Sequence, residues 1–392
     1  MIEVKDKSKC CGCEACVQRC PKNCIHLVED KEGYRYPIVD KASCVSCGLC
    51  EKVCPIINEN EQQKPIEVLA SKNPDEEQRL AGSSGGVFFE IGRNIIDNGG
   101  VVFGARFDEN WNVIHSYAED VDGLNAFRGS KYVQSHVGDS YKKVENFLKG
   151  GRQVLFSGTP CQIAGLQRFL RKKYDNLLLI DVVCHGVPSS MPWQKFLDEA
   201  IRPQNMSSET FRKQITSVSF RCKENGWLKF HLKVIYNPLN GISANSRNSI
   251  FSKYHRDTDF FYGFLRQFFL RPSCYNCKFR CGKSHSDITL ADFWGIWDCT
   301  DQWNDDRGIS LVMLNTEKGK AIFDTLNVDA FLSDYQTAIA GNKSIIESPT
   351  KPVERFFVFR HLNSGKRLHE AFSFNFMEKL LIKLRYKLNR FV

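Results

Sequence analysis

Cys10, Cys13, Cys16 and Cys20, followed by Pro21, stand at the spacing C-x2-C-x2-C-x3-C-P, and Cys44, Cys47, Cys50 and Cys54, followed by Pro55, repeat it without deviation. In this pattern three close-set thiolates wrap one iron–sulfur cubane and the fourth reaches across to the other. The spacing therefore predicts two [4Fe–4S] clusters, one held by Cys10, Cys13, Cys16 and Cys54, the other by Cys44, Cys47, Cys50 and Cys20. Gly12, Ala15 and Gly48 let backbone N–H groups approach the sulfides, and each proline turns the chain away after the fourth ligand. Zinc sites use paired C-x2-C knuckles rather than two triplets each closed by Cys-Pro. Cys11 and Cys24 fall outside the pattern and read as bystanders.

A second set, Cys274, Cys277 and Cys281, has the spacing C-x2-C-x3-C and is flanked by Lys278, Arg280 and Lys283. Three thiols are one short of a closed site. Cys184 and Cys161 are the candidates for the fourth, each where an apolar strand ends in a loop, and ligands of α/β sheets gather at such ends. On spacing alone, a third iron–sulfur cluster and a zinc site fit equally well.

Six short motifs occur in order: Ser83-Ser84-Gly85-Gly86, Gly129-Ser130-Lys131-Tyr132, Ser157 to Gln162, Asp181 to Gly186, Cys274 to Cys281, and Asp287 to Gly295. Taken together they resemble the coenzyme F420 hydrogenase/dehydrogenase beta-subunit family, which includes chlorophyll-pigment reductases, over about residues 66–340. The resemblance implies an iron–sulfur flavoprotein with FAD and an additional [4Fe–4S] cluster, ligated by Cys274, Cys277, Cys281 and, in preference to Cys161, Cys184. Cys161 lies just before a helix, where a thiolate near a flavin would also fit. It further implies flavin contacts from Ser83, Ser84, Gly85, Gly86, Ser130 and Lys131.

Ser84-Gly85-Gly86 precedes a helical run, Val87–Ile96, and a glycine-bearing helix N-terminus suits a pyrophosphate as well as it suits an ordinary cap. Lys131 and Arg128 could supply countercharge. Gly158-Thr159-Pro160 reads as a second anion-binding turn or as a tight strand-to-helix connection, with Thr159 the contact in the first case. Asp292 can bond a ring or ribose, or can serve the fold alone. His185, beside Cys184, is the candidate proton donor, although a histidine at a strand end is as often structural.

The elements that must position these residues are legible as alternation. Residues 1–60 form the two-cluster ferredoxin unit, with Ile25–Val28 and Tyr34–Val39 as a hairpin around Glu29–Gly33. Asn58–Lys64 followed by Pro65 reads as a linker. From residue 66 to 345, apolar runs at Gly99–Phe107, Val154–Ser157, Leu177–Val183 and Ser310–Leu314 alternate with helical patterns, such as that through Ile163, Leu166, Phe169 and Leu170. Residues Leu228 to Tyr236 alternate apolar and polar as a half-buried strand does. The predicted fold is thus an α+β ferredoxin unit followed by an α/β flavoprotein domain on a mixed sheet covered on both faces.

Residues 346–392 form a basic helical tail, with Phe376, Met377, Leu380, Leu381, Leu384, Leu388 and Phe391 at helical spacing among Lys379, Lys383, Arg385, Lys387 and Arg390. Such a helix suits an anionic membrane surface, a partner groove or its own domain. The polar start Met1–Lys9 carries no secretory pattern, no run approaches the roughly 20 apolar residues of a membrane span, and unpaired thiols suit a reducing compartment, so a cytoplasmic location is expected. The net charge of +9 comes with no nucleic-acid motif, and no nucleic-acid partner is expected.

The expected function is electron transfer between a redox partner protein, such as a ferredoxin or a dehydrogenase subunit, and an organic or deazaflavin acceptor. Clusters carry single electrons, and a flavin joins them to two-electron chemistry. A non-enzymatic relay subunit is the alternative. Residues 200–260, rich in Arg, Lys and aromatics, are where substrate choice is expected to be set.

Overall fold

The computed structural model describes residues 1–237, 248–300, 303 and 305–388. The ferredoxin unit is a pair of short helices, Ala15–Arg19 and Leu49–Lys52, beside the antiparallel hairpin β1 (Ile25–Glu29) and β2 (Arg35–Val39). Each helix follows directly on the tight turn of a cysteine run. Gly12 and Gly48 hold positive φ there (71° for both), which a residue with a Cβ resists.

The following chain supplies β3 (Glu67–Lys72), β4 (Val101–Phe107), β5 (Val113–Ala118), β6 (Val154–Gly158) and β7 (Leu177–Val182). After these come β8 (Ile215–Cys222), β9 (His231–Tyr236), β10 (Ser249–Tyr254), β11 (Ile288–Asp292), β12 (Ser310–Leu314) and β13 (Asp329–Ser333). Eight strands make one mixed sheet in the order β13-β3-β12-β11-β7-β6-β4-β5, and β10-β9-β8 form a separate antiparallel sheet. β4, β6, β7 and β11 are mutually parallel, and β3 runs with them because two antiparallel steps through β12 restore its direction. The carboxyl ends of five strands therefore lie along one edge.

Successive side chains of a strand point to opposite faces, and both faces are covered here. Val101, Phe103, Val154, Phe156, Leu177 and Leu179 pack with the helices Ser140–Lys149 and Pro160–Leu170; Cys11, Cys13, Ala15 and Val53 of the ferredoxin unit join the same core. Val102, Leu155, Leu178 and Ile180 pack on the other face against the helix Val87–Asp97, through Phe89, Ile91 and Ile95. An aromatic core around Trp193, Phe196, Phe220, Phe260 and Phe261 backs the three-stranded sheet.

The segment expected as a linker is pinned: Gln63 N donates to Cys281 O (3.2 Å), Asn60 Nδ2 donates to Lys283 O (3.1 Å), and Glu59 pairs with Lys278 (3.1 Å). The tail forms the helices Glu354–Asn363 and Phe376–Leu388. Arg390 and Phe391 of the expected amphipathic pattern, the side chain of Leu388, and residues 238–247 of the expected specificity region lie outside the described residues.

Candidate electron-transfer site

The cysteines sort into three groups. Cys20, Cys44, Cys47 and Cys50 line one pocket, together with Cys24, Met1 and the apolar Ile25, Val39, Val45 and Leu49. Cys47 is exposed at its rim. Cys10, Cys13, Cys16 and Cys54 form the second group: burial raises the Cys16 thiol, and repulsion from Cys10 and Cys54 raises it further. The same causes act on Cys54, with Cys10 among its neighbours.

The third group surrounds a cavity at the strand ends. It is lined by Cys161, Cys184, Cys274, Cys277 and Cys281, with Cys11 of the ferredoxin unit in the same wall. Burial pushes Cys184 up to about 12 and raises Cys274 further. Arg280 opposes the rise at Cys184 and Cys277. Thiols so crowded and dry ionise only with positive charge among them, which is the setting a metal cluster supplies. Among the described residues no three His, Cys, Asp or Glu side chains converge on a single ion. Ligands of one zinc would stand within about 4 Å of each other, whereas four sulfurs around a four-iron cubane stand wider. An all-thiol donor set of this kind suits a cubane.

Both candidates for the fourth ligand face the cavity. Cys184 follows β7, and Cys161 sits in the first turn of the helix Pro160–Leu170. Thr159 caps that helix in a reciprocal box with Gln162, and its Oγ1 lies 3.2 Å from Cys161 Sγ. Cys161 also hydrogen-bonds Cys11, the main cause of its raised thiol, with burial next. Cys11 and Cys24, outside the motif, are thus set among the groups rather than apart from them; Cys24 Sγ is 3.4 Å from Cys20 Sγ.

The other residues singled out in the sequence meet at the same carboxyl edge. Ser84 Oγ donates to Asp292 Oδ1 (2.5 Å), Ser130 N donates to Ser83 Oγ (2.7 Å), and Gly85 N donates to Ser310 Oγ (3.0 Å). Gly85 lies so close to the strands that a Cβ would stand 2.4 Å from Ser71 O. Gly86 (φ 84°) caps the helix Val87–Asp97 without a side-chain bond to its first amides. Next to it, the Lys131 ammonium donates only to the carbonyls of Arg128 (2.9 Å) and Gly129 (3.1 Å). Part of its side chain reaches solvent, but crowding around Nζ strips hydration and draws it down to about 7. Among the described residues no carboxylate pairs with it. Arg128, by contrast, is spent on the Phe89 ring, 3.4 Å away.

Asp292 is fully engaged by the chain itself. Arg221 binds it with both Nη atoms (2.9 and 3.0 Å), and Trp227 Nε1 donates to Oδ1 at 2.8 Å. Its geometry is that of a brace for the Ser83–Gly86 turn. Sequence reading did not single out Arg221, Trp227 or Lys223. Lys223, drawn down to about 7 by burial, donates to three carbonyls, those of Arg79, Ser84 and Arg307 (2.7–2.8 Å). Trp227 stacks on Trp294 at 4.5 Å. Their one sequence signal is membership of the basic, aromatic stretch 200–260. His185 is half-buried, edge-on to Phe264; its Nε2 has no hydrogen-bond partner, and lost hydration lowers its pKa, which favours the neutral ring.

Residues 9–56 match the 4Fe-4S dicluster domain family, and residues 151–333 match the family described as the C terminus of the coenzyme F420 hydrogenase/dehydrogenase beta subunit. No curated protein matches the chain. Among solved structures, a chain of the F420-reducing [NiFe] hydrogenase complex from Methanosarcina barkeri is similar over 72% of this chain and 90% of that one, at 14% identity and a TM-score of 0.44. The chain is an iron–sulfur electron-transfer protein, related over residues 151–333 to the C terminus of the coenzyme F420 hydrogenase/dehydrogenase beta subunit and carrying a 4Fe-4S dicluster domain at residues 9–56.

Proposed function

We propose that the chain is an iron–sulfur flavoprotein oxidoreductase, which passes electrons from a partner redox protein through two ferredoxin-type clusters and a third cluster to FAD, and from there to a small organic acceptor. The observation that carries this reading is the shared cavity wall: Cys11, between the cluster ligands Cys10 and Cys13, stands beside Cys161 and faces Cys184, Cys274, Cys277 and Cys281. The pocket of Cys20, Cys44, Cys47 and Cys50 is the outer one, with Cys47 and Val45 exposed where a partner can dock.

Support for the flavin is the anion-seeking edge described above. The uncapped amides of the helix Val87–Asp97 and the unpaired Lys131 sit on two turns tied together by Ser130 and Ser83. Ser83, Ser84, Gly85, Gly86, Ser130 and Lys131 would hold the pyrophosphate, with Thr159 and Cys161 on the neighbouring turn. Bound there, FAD would supply the junction between one-electron and two-electron chemistry. The chain's own part is to brace the turn through Asp292, Arg221 and Lys223, and to keep a neutral His185 at the third cysteine group. A neutral imidazole can accept a proton, and passes one on only after taking it up.

Among the described residues no helix is long and apolar enough to cross a membrane. The helix Phe376–Leu388 nevertheless exposes Phe376 (79%), Met377, Leu380, Leu381 and Leu384, flanked by Lys379, Lys383, Arg385 and Lys387. Its one acid, Glu378, is buried against Arg360 and His361. The reading therefore includes peripheral contact with an anionic bilayer from the cytoplasmic side. Flotation with phosphatidylglycerol vesicles should carry the full chain and leave behind a chain lacking residues 375–392; equal flotation of both would remove this contact.

The deciding experiment is anaerobic purification with iron, sulfide, zinc and flavin measured on one sample. Three cubanes predict about twelve irons per chain, with one FAD. About eight irons with zinc and no flavin would overturn the enzyme reading and leave a relay subunit.

A further inference from the structure

Arg271 is 1% exposed, among the largest fully buried side chains of the molecule. Its guanidinium donates to Cys10 O (2.7 Å), Gln134 Oε1 (2.9 Å) and Arg35 O (3.0 Å), and Nη2 points at Cys10 Sγ from 3.6 Å. The rings of Tyr36 and Tyr34 cover it at 4.4 and 5.3 Å. Every oxygen acceptor is neutral. The buried acid of that region, Glu14, makes its direct contacts to Gly138 N and His136 and feels Arg271 only through space, without a hydrogen bond or ion pair to it. Among the described residues no carboxylate pairs with Arg271.

A buried guanidinium without a directly paired anion is strongly disfavoured. The group that answers it is the Cys10 sulfur, which is anionic once bound to iron. The loop is shaped for this contact: a Cβ on Gly12 would stand 2.8 Å from Arg271 Cζ. The same residue also reaches the third cysteine group, because Arg271 O accepts from Cys274 N (2.9 Å).

We propose that Arg271 sets the potential of the cluster held by Cys10, Cys13, Cys16 and Cys54, as its counter-cation and sulfur hydrogen-bond donor, and keeps that cluster's loop seated on the Cys274 turn. Adding an electron makes a thiolate-bound cubane more negative. A fixed cation and an N–H···S bond stabilise that reduced state and raise the potential. Arg271 thereby raises the inner cluster's pull on an electron, which favours flow inward toward the cavity. It is a positioning residue, acting through Cys10. The proposal rests on Cys10 being a cubane ligand.

The test is an anaerobic redox titration of the full chain followed by EPR, for the unaltered protein and for Arg271→Gln and Arg271→Lys. In R271Q the inner cluster should titrate at lower potential, so that at the unaltered midpoint the ratio of reduced to oxidised cluster falls about tenfold, equivalent to 59 mV for one electron. The cluster on Cys20, Cys44, Cys47 and Cys50 should keep its midpoint. R271K, which keeps the charge and loses the planar fork, should shift in the same direction by less. If R271Q fails to retain iron, R271K carries the test alone. An unmoved inner midpoint in whichever variant holds iron, or equal shifts of both clusters, overturns the proposal. Fewer than eight irons in the unaltered chain would instead overturn the cluster reading beneath it.

Discussion

Lys131 and Gly12 make the chemistry of single residues testable. Lys131 is held near 7 in the free protein because its ammonium has lost water and gained only carbonyls. An anion bound beside it would restore the charge, so binding takes up a proton whenever the free lysine is neutral. The sign follows: FAD affinity should be highest below pH 7 and fall as pH rises above it, by up to about tenfold per unit. Isothermal titration between pH 6 and 9 should show this slope, and Lys131→Met should bind more weakly and flatten it. A slope unchanged in K131M would remove Lys131 from the flavin site. Gly12 is constrained twice, by its φ of 71° and by the guanidinium against its α-carbon. Gly12→Ala forces a left-handed alanine, roughly 1–2 kcal/mol, and displaces Arg271 as well. Cluster bleaching in urea should move to lower denaturant than in the unaltered chain. Neither constraint on Gly12 could be foreseen fully from the motif: the cysteine run implied a tight turn, but nothing in the sequence ties residue 12 to residue 271.

At the scale of elements, the carboxyl edge of the large sheet was readable and the bracing behind it was not. Apolar runs at Val154–Ser157, Leu177–Val183 and Ser310–Leu314 announced β6, β7 and β12, because buried strands of a mixed sheet have no polar face to show. The turns that follow β6 and β7 carried the glycines and cysteines that mark strand ends. By contrast, the pairing of β3 between β12 and β13 joins residues some 240 positions apart, and no local pattern encodes it. The clasp of Asp292 by Arg221 and Trp227 is equally non-local, and it turns a candidate ligand into a brace. Gly85 tests how far that edge depends on close approach. Its α-carbon lies against the backbones of β3 and β12, where a methyl group would meet Ser71 O at 2.4 Å and Ser310 N at 2.7 Å. Backbone of a central strand cannot step aside, so Gly85→Ala should lift the Ser83–Gly86 turn. We expect FAD affinity to fall at least tenfold, about 1.4 kcal/mol, with iron content unchanged. Flavin fluorescence and iron assay on the same sample separate the two effects, and full flavin retention would mean that the turn does not hold the cofactor.

At the scale of the whole molecule, the ferredoxin unit is built into the α/β domain. Cys13 packs against Gly165, where a Cβ would stand 3.0 Å from its sulfur, so the helix Pro160–Leu170 lies directly on a proposed ligand of the inner cluster. The hairpin tip is clamped at the opposite end. Arg355 binds both oxygens of Glu32 (2.8 and 2.6 Å) and also donates to Leu270 O, while Tyr34 hydroxyl donates to the carbonyls of Val187 and Phe269. These contacts join residue 32 to the chain just after the strand ends that carry Cys184 and just before the turn that carries Cys274. On the proposed route, electron transfer from the inner cluster into the cavity depends on that seating. Arg355 is 5% exposed and Glu32 17%, so the pair is largely desolvated and removing one partner strands the other. Glu32→Ala should therefore weaken docking by about 3 kcal/mol, the lower end for a buried pair because Glu32 keeps some solvent. Loss of seating would also release Gln63 and Asn60 from the Cys281–Lys283 turn. Limited proteolysis should then cut at residues 58–65 in E32A and spare the unaltered chain, while stopped-flow reduction shows the two ferredoxin-type clusters filling at the normal rate and the next step, into the cavity, slowed. If E32A resists the protease and passes electrons at the unaltered rate, the packing of Cys13 on Gly165 suffices to hold the two units together, and the Arg355 clamp serves the tail instead.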